Sequence, residues 1–164
     1  MVVQVLRLAA LALLLLACGS SGPSAPVTGP PSPSPVATSP APSAPVSLSV
    51  AGSRYGKIIV DGSGRTLYLF DIERDRKPQC DGACAAAWPP LLASGAMAAA
   101  PELNHALIAT AARKDGSRQV TYNGHPLYYY GGDHAAGEIK CQAVVEFGGG
   151  WYVVDVLGNG ITTR

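Results

Sequence analysis

Two short stretches of the chain alternate in step. Thr66-Leu67-Tyr68-Leu69-Phe70 and Pro126-Leu127-Tyr128-Tyr129-Tyr130 each place an aromatic at every second position, and glycine (Gly64, Gly124) leads into both. A period of two is the mark of extended backbone, whose successive side chains point to opposite faces. Tyr68 and Phe70 therefore share one face and Leu67 and Leu69 the other, and Tyr128/Tyr130 and Leu127/Tyr129 divide the same way. An acid follows the second aromatic by three positions in both copies, Glu73 and Asp133. The pattern Tyr-x-aromatic-x-x-acid, twice in one chain, predicts a duplicated β unit.

The rest of the pattern extends the duplication. Lys57 to Val60 and Thr66 to Phe70 flank Asp61-Gly62-Ser63-Gly64, and Gln119 to Tyr122 and Leu127 to Tyr130 flank Asn123-Gly124; both read as hairpins. Charged residues 71–77 read as an exposed loop. Cys80 to Trp88 predicts one or two helical turns, stopped by Pro89-Pro90. Ala96 to Ala100 fits either helix or coil, Leu107 to Ala112 reads as a strand, and so does Trp151 to Val156. The cysteines Cys80 and Cys141 and the tryptophans Trp88 and Trp151 keep nearly the same spacing as the motifs. Neither hairpin can bury an apolar face alone. The expectation is one small, mainly antiparallel β domain over 48–164, built from two tandem repeats (about 54–92 and 117–157), with a short helix near 83–88.

Three phrases, Gly64 to Phe70, Cys80 to Leu91 and Tyr122 to Tyr130, resemble in order those of bacterial lipoproteins with tandem secreted repeats and a Tyr-x-(Phe/Trp/Tyr)-x-x-Asp motif. The likeness covers most of 54–157. Glu73 stands where the first motif of that family has Asp, and Cys141 lies inside the second repeat's loop. The family has no assigned activity, so the resemblance implies a lipoprotein and a repeat, and no reaction.

The amino terminus changes the picture of location. Arg7 precedes an apolar run, Leu8 to Ala17, of signal-peptide length and too short to span a bilayer. It closes on Leu15-Leu16-Ala17-Cys18-Gly19-Ser20, which resembles a lipobox, so 1–17 reads as signal peptide and Cys18 as the lipidated first residue of the mature chain. Two acyl chains, at about 0.8 kcal/mol per buried methylene, suffice for stable anchoring. Residues 18–47 read as a disordered tether: nine of the fourteen prolines lie there, with no charge and no aromatic. A stiff form of it reaches roughly 90 Å. The expected location is extracytoplasmic, on a bacterial membrane.

Charge narrows the partners. Without Arg7, eleven basic side chains face eleven acidic ones. A neutral mature chain has no long-range pull on nucleic acid, which is excluded as a partner, and the membrane is reached through lipid. An envelope protein or a small ligand remains open.

Candidate chemistry is sparse. Tyr68, Phe70 and Glu73, with Tyr128, Tyr130 and Asp133, either cradle a flat or sugar-like ligand at two equivalent sites or fill the core while the acids accept backbone N–H groups of the next turn. The second reading is the commoner fate of a spaced aromatic pair. Cys80 and Cys84 are placed for a local disulfide; a Cys80–Cys141 bridge and a reducible pair are the rivals. His125 lies in a turn where exposure is its simplest role, His134 fits no ligand spacing with it, and His105 reads as a loop residue, so no metal is expected. No cofactor is expected either. Glu73 and Asp133 would be a general acid and base only if the repeats met at that edge, and no hydrolase or phosphate-binding motif occurs. The expectation is a non-catalytic envelope binding or scaffolding module contacting partners through 71–79 and 131–140. The alternative is a redox or metal-handling protein using Cys80, Cys84 and Cys141.

Overall fold

The structure, a computed structural model, describes residues 45–164. The signal peptide 1–17, Cys18 and nearly all of the tether 18–47 lie outside the described residues. Strand β1 (Val46–Ser53) begins inside the stretch read as tether, and β2 (Gly56–Asp61) pairs with it antiparallel, Ser49 opposite Val60 and Ala51 opposite Ile58. The residues 46–50, Val-Ser-Leu-Ser-Val, alternate apolar and polar, and Leu48 is buried. The repeat therefore starts with a strand ahead of the bounds read from the motif.

Three small sheets share the described residues, ordered β2-β1-β4, β3-β9-β8 and β5-β6-β7. Strand β3 (Tyr68–Phe70) leaves its expected hairpin partner early. Only the bridge between Val60 and Thr66 and the bonds from the Leu67 N–H to the Ile59 carbonyl and from the Asp61 N–H to the Arg65 carbonyl join its approach to β2, and its ladder is with β9 (Gly149–Val153). Helix α1 (Ala83–Ala87) lies where the expected turns do. The middle of 96–100 is a strand: β4 (Met97–Ala99) runs parallel to β1, Leu48 opposite Ala99. A 3-10 turn, His105–Leu107, capped by the Asn104 side chain, precedes β5 (Ile108–Ala112). Strand β6 (Arg118–Tyr122) turns into β7 (His125–Pro126) through Asn123 and Gly124, at φ 49° and 82°. Two consecutive positive φ values make the type I′ turn that asparagine and glycine tolerate best. The last strand expected, 151–156, ends sooner than its apolar run, because the Asp155 carboxylate accepts from the N–H groups of Leu157 and Asn159 and closes a turn. Strand β8 (Val144–Glu146) pairs with β9.

The alternation in the motif divides the interior. Leu67, Leu69 and Leu127 enter a cluster with Leu48, Ile59, Val120, Tyr122 and Val154. Tyr68, Phe70 and Tyr128 enter a second cluster with Trp88, Trp151, Val153 and the Cys80–Cys84 pair. One strand element thus supplies both cores, and a slip of one residue would exchange them.

Candidate functional site

The two motifs meet at their tyrosines. The Tyr68 N–H donates to the Tyr128 carbonyl at 2.8 Å and the Tyr128 N–H donates back to Tyr68 at 2.9 Å. Around this reciprocal pair the rest of the chain is interlocked. The Ile59 N–H donates to the Val154 carbonyl while the Val120 N–H donates to the Leu91 carbonyl; the Asp71 N–H donates to Gly150 while the Gly131 N–H donates to Ala87. Val154 belongs to the second tryptophan segment and Leu91 to the first. Each repeat's hairpin is therefore completed by the other repeat's tryptophan segment. Neither repeat closes on its own residues.

The motif side chains cross in the same way. The Tyr68 hydroxyl donates to Asp133 Oδ2 at 2.7 Å, and the Tyr128 hydroxyl donates to Glu73 Oε2, also at 2.7 Å. Tyrosine and acid of one motif do not form a local set, which corrects the picture of two self-contained cradles. Each carboxylate also ties down its own loop. Glu73 Oε1 accepts from the N–H groups of Gln79 and Cys80, and Asp133 Oδ1 accepts from the Lys140 N–H at 3.0 Å. Glu73 and Asp133 are both buried, with these partners filling their oxygens. Burial holds the Glu73 carboxyl above its ordinary value, against the pull of its hydrogen bonds. Burial, with an acid alongside, pushes the Tyr68 and Tyr128 hydroxyls far up, so both remain protonated donors.

The aromatic faces build one column. Phe70 stacks on Trp151 at 4.2 Å, Trp151 on Trp88 at 4.1 Å, and Tyr130 leans on Trp88 at 4.8 Å. Tyr68 and Tyr128 meet the two indoles edge-on, at 5.3 and 5.2 Å. The pseudo-twofold runs between the tryptophans, with Phe70 answering Tyr130 and Tyr68 answering Tyr128. Of the six motif residues, only Tyr130 is less than fully buried. The motif does not line an open groove.

Cys80 and Cys84 form the local disulfide. It is shielded: Cys80 is 1% and Cys84 7% exposed. Cys141 carries a free, half-buried thiol beside the Tyr130 hydroxyl, and burial raises its pKa. A buried disulfide and a protonated thiol are poor partners for exchange. Among the described residues no three His, Cys, Asp or Glu side chains converge as metal ligands.

Sequence reasoning missed a buried cation. Arg113 donates to the Cys80 carbonyl and to Gln119 Oε1, both at 2.6 Å, and pairs with Asp81 at 3.0 Å. Gln119 passes the link to the Leu127 carbonyl. The end of β5 in the second repeat thereby holds the disulfide loop of the first. Nothing local marked it, since Arg113 only joins a strand to the charged turn Lys114-Asp115-Gly116. His125 is also not merely exposed: it is half-buried, with Nδ1 at 3.1 Å from the Glu73 carbonyl, and burial lowers its pKa. His134 offers its backbone N–H to Glu138, whose carboxylate, paired with Lys140, is lowered to about 2.

Two recesses open beside the first loop: one of about 440 Å³ at Asp75, Arg76, Asn123 and Gly124, and a polar groove of about 340 Å³ lined among others by Asp71, Arg74, His125, Tyr152 and Asn159. The loops read as contact surfaces divide here. Asp71 and Arg74 line this groove, whereas Gly131 to Lys140 is engaged with Arg65, Thr66 and its own Glu138. No helix among the described residues is long and apolar enough to cross a membrane.

A family model described as a secreted repeat of unknown function matches the chain twice, at residues 49–92 and 109–155. Both matches begin inside the leading strands, β1 and β5, in agreement with the interlocked unit. No curated protein and no solved structure matches the chain significantly.

Proposed function

This chain belongs to the family of secreted repeats of unknown function, and we propose that it serves as a lipid-anchored, non-catalytic binding module of the cell envelope. The observation that carries the reading is the consumption of the motif by the fold. Six residues with chemical potential are spent on stacking, on tyrosine–carboxylate bonds and on holding two loops, so contact with partners falls to surface residues on a stiff frame. Rigid elements present binding groups with less loss of freedom than mobile ones. Cys18, through its diacylglyceryl thioether, supplies the anchor, and the Pro/Ala/Ser tether supplies reach. The shielding of Cys80 and Cys84 supports a structural disulfide over the redox alternative.

The test is site-specific photocrosslinking of the full chain in its own membrane. A crosslinker at Arg76, in the exposed first loop, is expected to give a discrete adduct, and one at Thr110, on the β5 strand, none. The reading fails if neither site gives an adduct, or if Cys18→Ala leaves the protein in the membrane fraction.

A further inference from the structure

Resting on that binding-module reading, we infer that the groove beside the first loop holds one ring of an uncharged saccharide. The pseudo-twofold shows how its lining differs from that of the other half. Arg65 and His125 occupy equivalent motif positions, each just before the Thr or Pro that leads the strand. In one half the Arg65 guanidinium lies 4.2 Å from the Tyr129 ring centre, and the Tyr129 hydroxyl donates to Asp61 Oδ2 at 3.0 Å. That ring is half-buried, with an arginine and an acid of its own chain upon it, beside a smaller recess of about 270 Å³. In the other half His125 stands in the arginine's place, beside the larger groove.

The ring beside His125 is Tyr152, half-buried on β9 opposite Leu69, the residue that answers Tyr129 in the other motif. A Cβ at Gly150 would lie 2.5 Å from its Cε2 and hydroxyl, and one at Gly160 would lie 3.1 Å from its Cβ. The two glycines let the ring lie down on the backbone, so it forms a floor. Polar groups of both kinds surround it. Asp71 is fixed by accepting the Gly150 N–H at 2.8 Å. Arg74 is exposed and has no ion-pair partner among the described residues. The Glu73 carbonyl can only accept, so His125 Nδ1 bears the proton; with the ring held neutral by burial, Nε2 is left as an acceptor.

These groups suit a pyranose. Its C–H face packs on an aromatic floor, and neighbouring hydroxyls bridge a carboxylate and a guanidinium, with a further acceptor for a third. One carboxylate and one guanidinium cancel, which favours an uncharged ring over an acidic one. At about 340 Å³ the groove is at the small end of ligand sites, enough for one or two rings.

Saturation-transfer NMR on the full chain in detergent, with chitotetraose as the probe, tests this. Transfer to the sugar is expected. Arg74→Ala should weaken binding about tenfold, the scale of one charge-assisted contact. Thr162→Trp, which fills the groove from an exposed position, should abolish it with the melting curve unchanged. No transfer in the wild-type chain, or transfer that survives Thr162→Trp, overturns the inference. Binding of oligogalacturonate or of a tetra-alanine peptide in place of chitotetraose overturns it as well. If the crosslinks at Arg76 persist when the sugar is not bound, the saccharide fails and the binding module stands. Sugar binding without crosslinks leaves the saccharide site standing and removes the envelope partner.

Discussion

The two halves of the domain share a backbone plan and differ in what they add to it. Reciprocal strand pairing, crossed tyrosine–acid bonds and a tryptophan on each side of the twofold occur in both. The disulfide, the buried Arg113 and the Tyr152 groove occur in one setting only, while the other half has a free Cys141 and the Arg65–Tyr129 contact. Duplicated features hold the repeats together, since losing either copy unlocks both. Unduplicated ones are where this chain has room for its own business.

The plainest way to break the comparison is to remove the centre of the column. Trp88→Ala and Trp151→Ala should each cost roughly 3–5 kcal/mol, the range for a large buried aromatic. Because the indoles stack on one another across the twofold, the two losses should agree closely in chemical denaturation. A loss confined to one of them would mean that one repeat folds without the other and that the interlock is decorative.

The crossed hydroxyls come next. Tyr68→Phe and Tyr128→Phe keep the ring packing and remove one donor to a buried carboxylate, at roughly 1.5–3 kcal/mol each. Tyr68→Phe leaves Asp133 with only the Lys140 N–H, whereas Glu73 keeps two backbone donors after Tyr128→Phe. The first should therefore be the costlier in urea unfolding. Equal, near-zero losses would contradict the geometry. Removing the disulfide with Cys80→Ser and Cys84→Ser should cost about 2 kcal/mol, the chain-entropy figure for so short a loop. Hydrogen exchange should then rise around Gln79 to Trp88 and leave Gly131 to Lys140 unmoved.

Much of this was legible in the chain. A period of two placed the motif strands and their faces, Asn123-Gly124 placed the turn, and the Cys80–Cys84 spacing offered the bridge that formed. What stayed hidden was partnership. A hairpin signal is local, and nothing in residues 57–70 says that Val153 and Val154 will take the place beside them. Strand β1 carries its own alternation, but it abuts a proline-rich tract whose composition spoke louder. Strand β4 is three residues with two alanines, and it pairs only because β1 has a free edge. The groove draws on residues from 69 to 162 in three separate segments, so no window of sequence contains it.

The finest difference between the halves lies in Glu73, which stands where the family motif has Asp. The folded chain holds this carboxyl above its ordinary 4.5 because burial disfavours the charge. The folded state then binds the proton more tightly than the unfolded one, so the contribution to stability is fully present below about pH 4.5 and is lost as pH climbs through the raised value. His125, one contact away, acts oppositely: its lowered pKa adds stability above 6.5 that fades as pH falls. The two slopes overlap in wild-type melting curves. Glu73→Gln separates them, since an amide still accepts from Gln79 and Cys80 and still meets the Tyr128 hydroxyl, but cannot titrate. Subtracting the variant's stability profile from that of the wild type between pH 4 and pH 7 should leave a line falling with pH. A flat difference would mean that water reaches Glu73 and that its burial does not hold the proton.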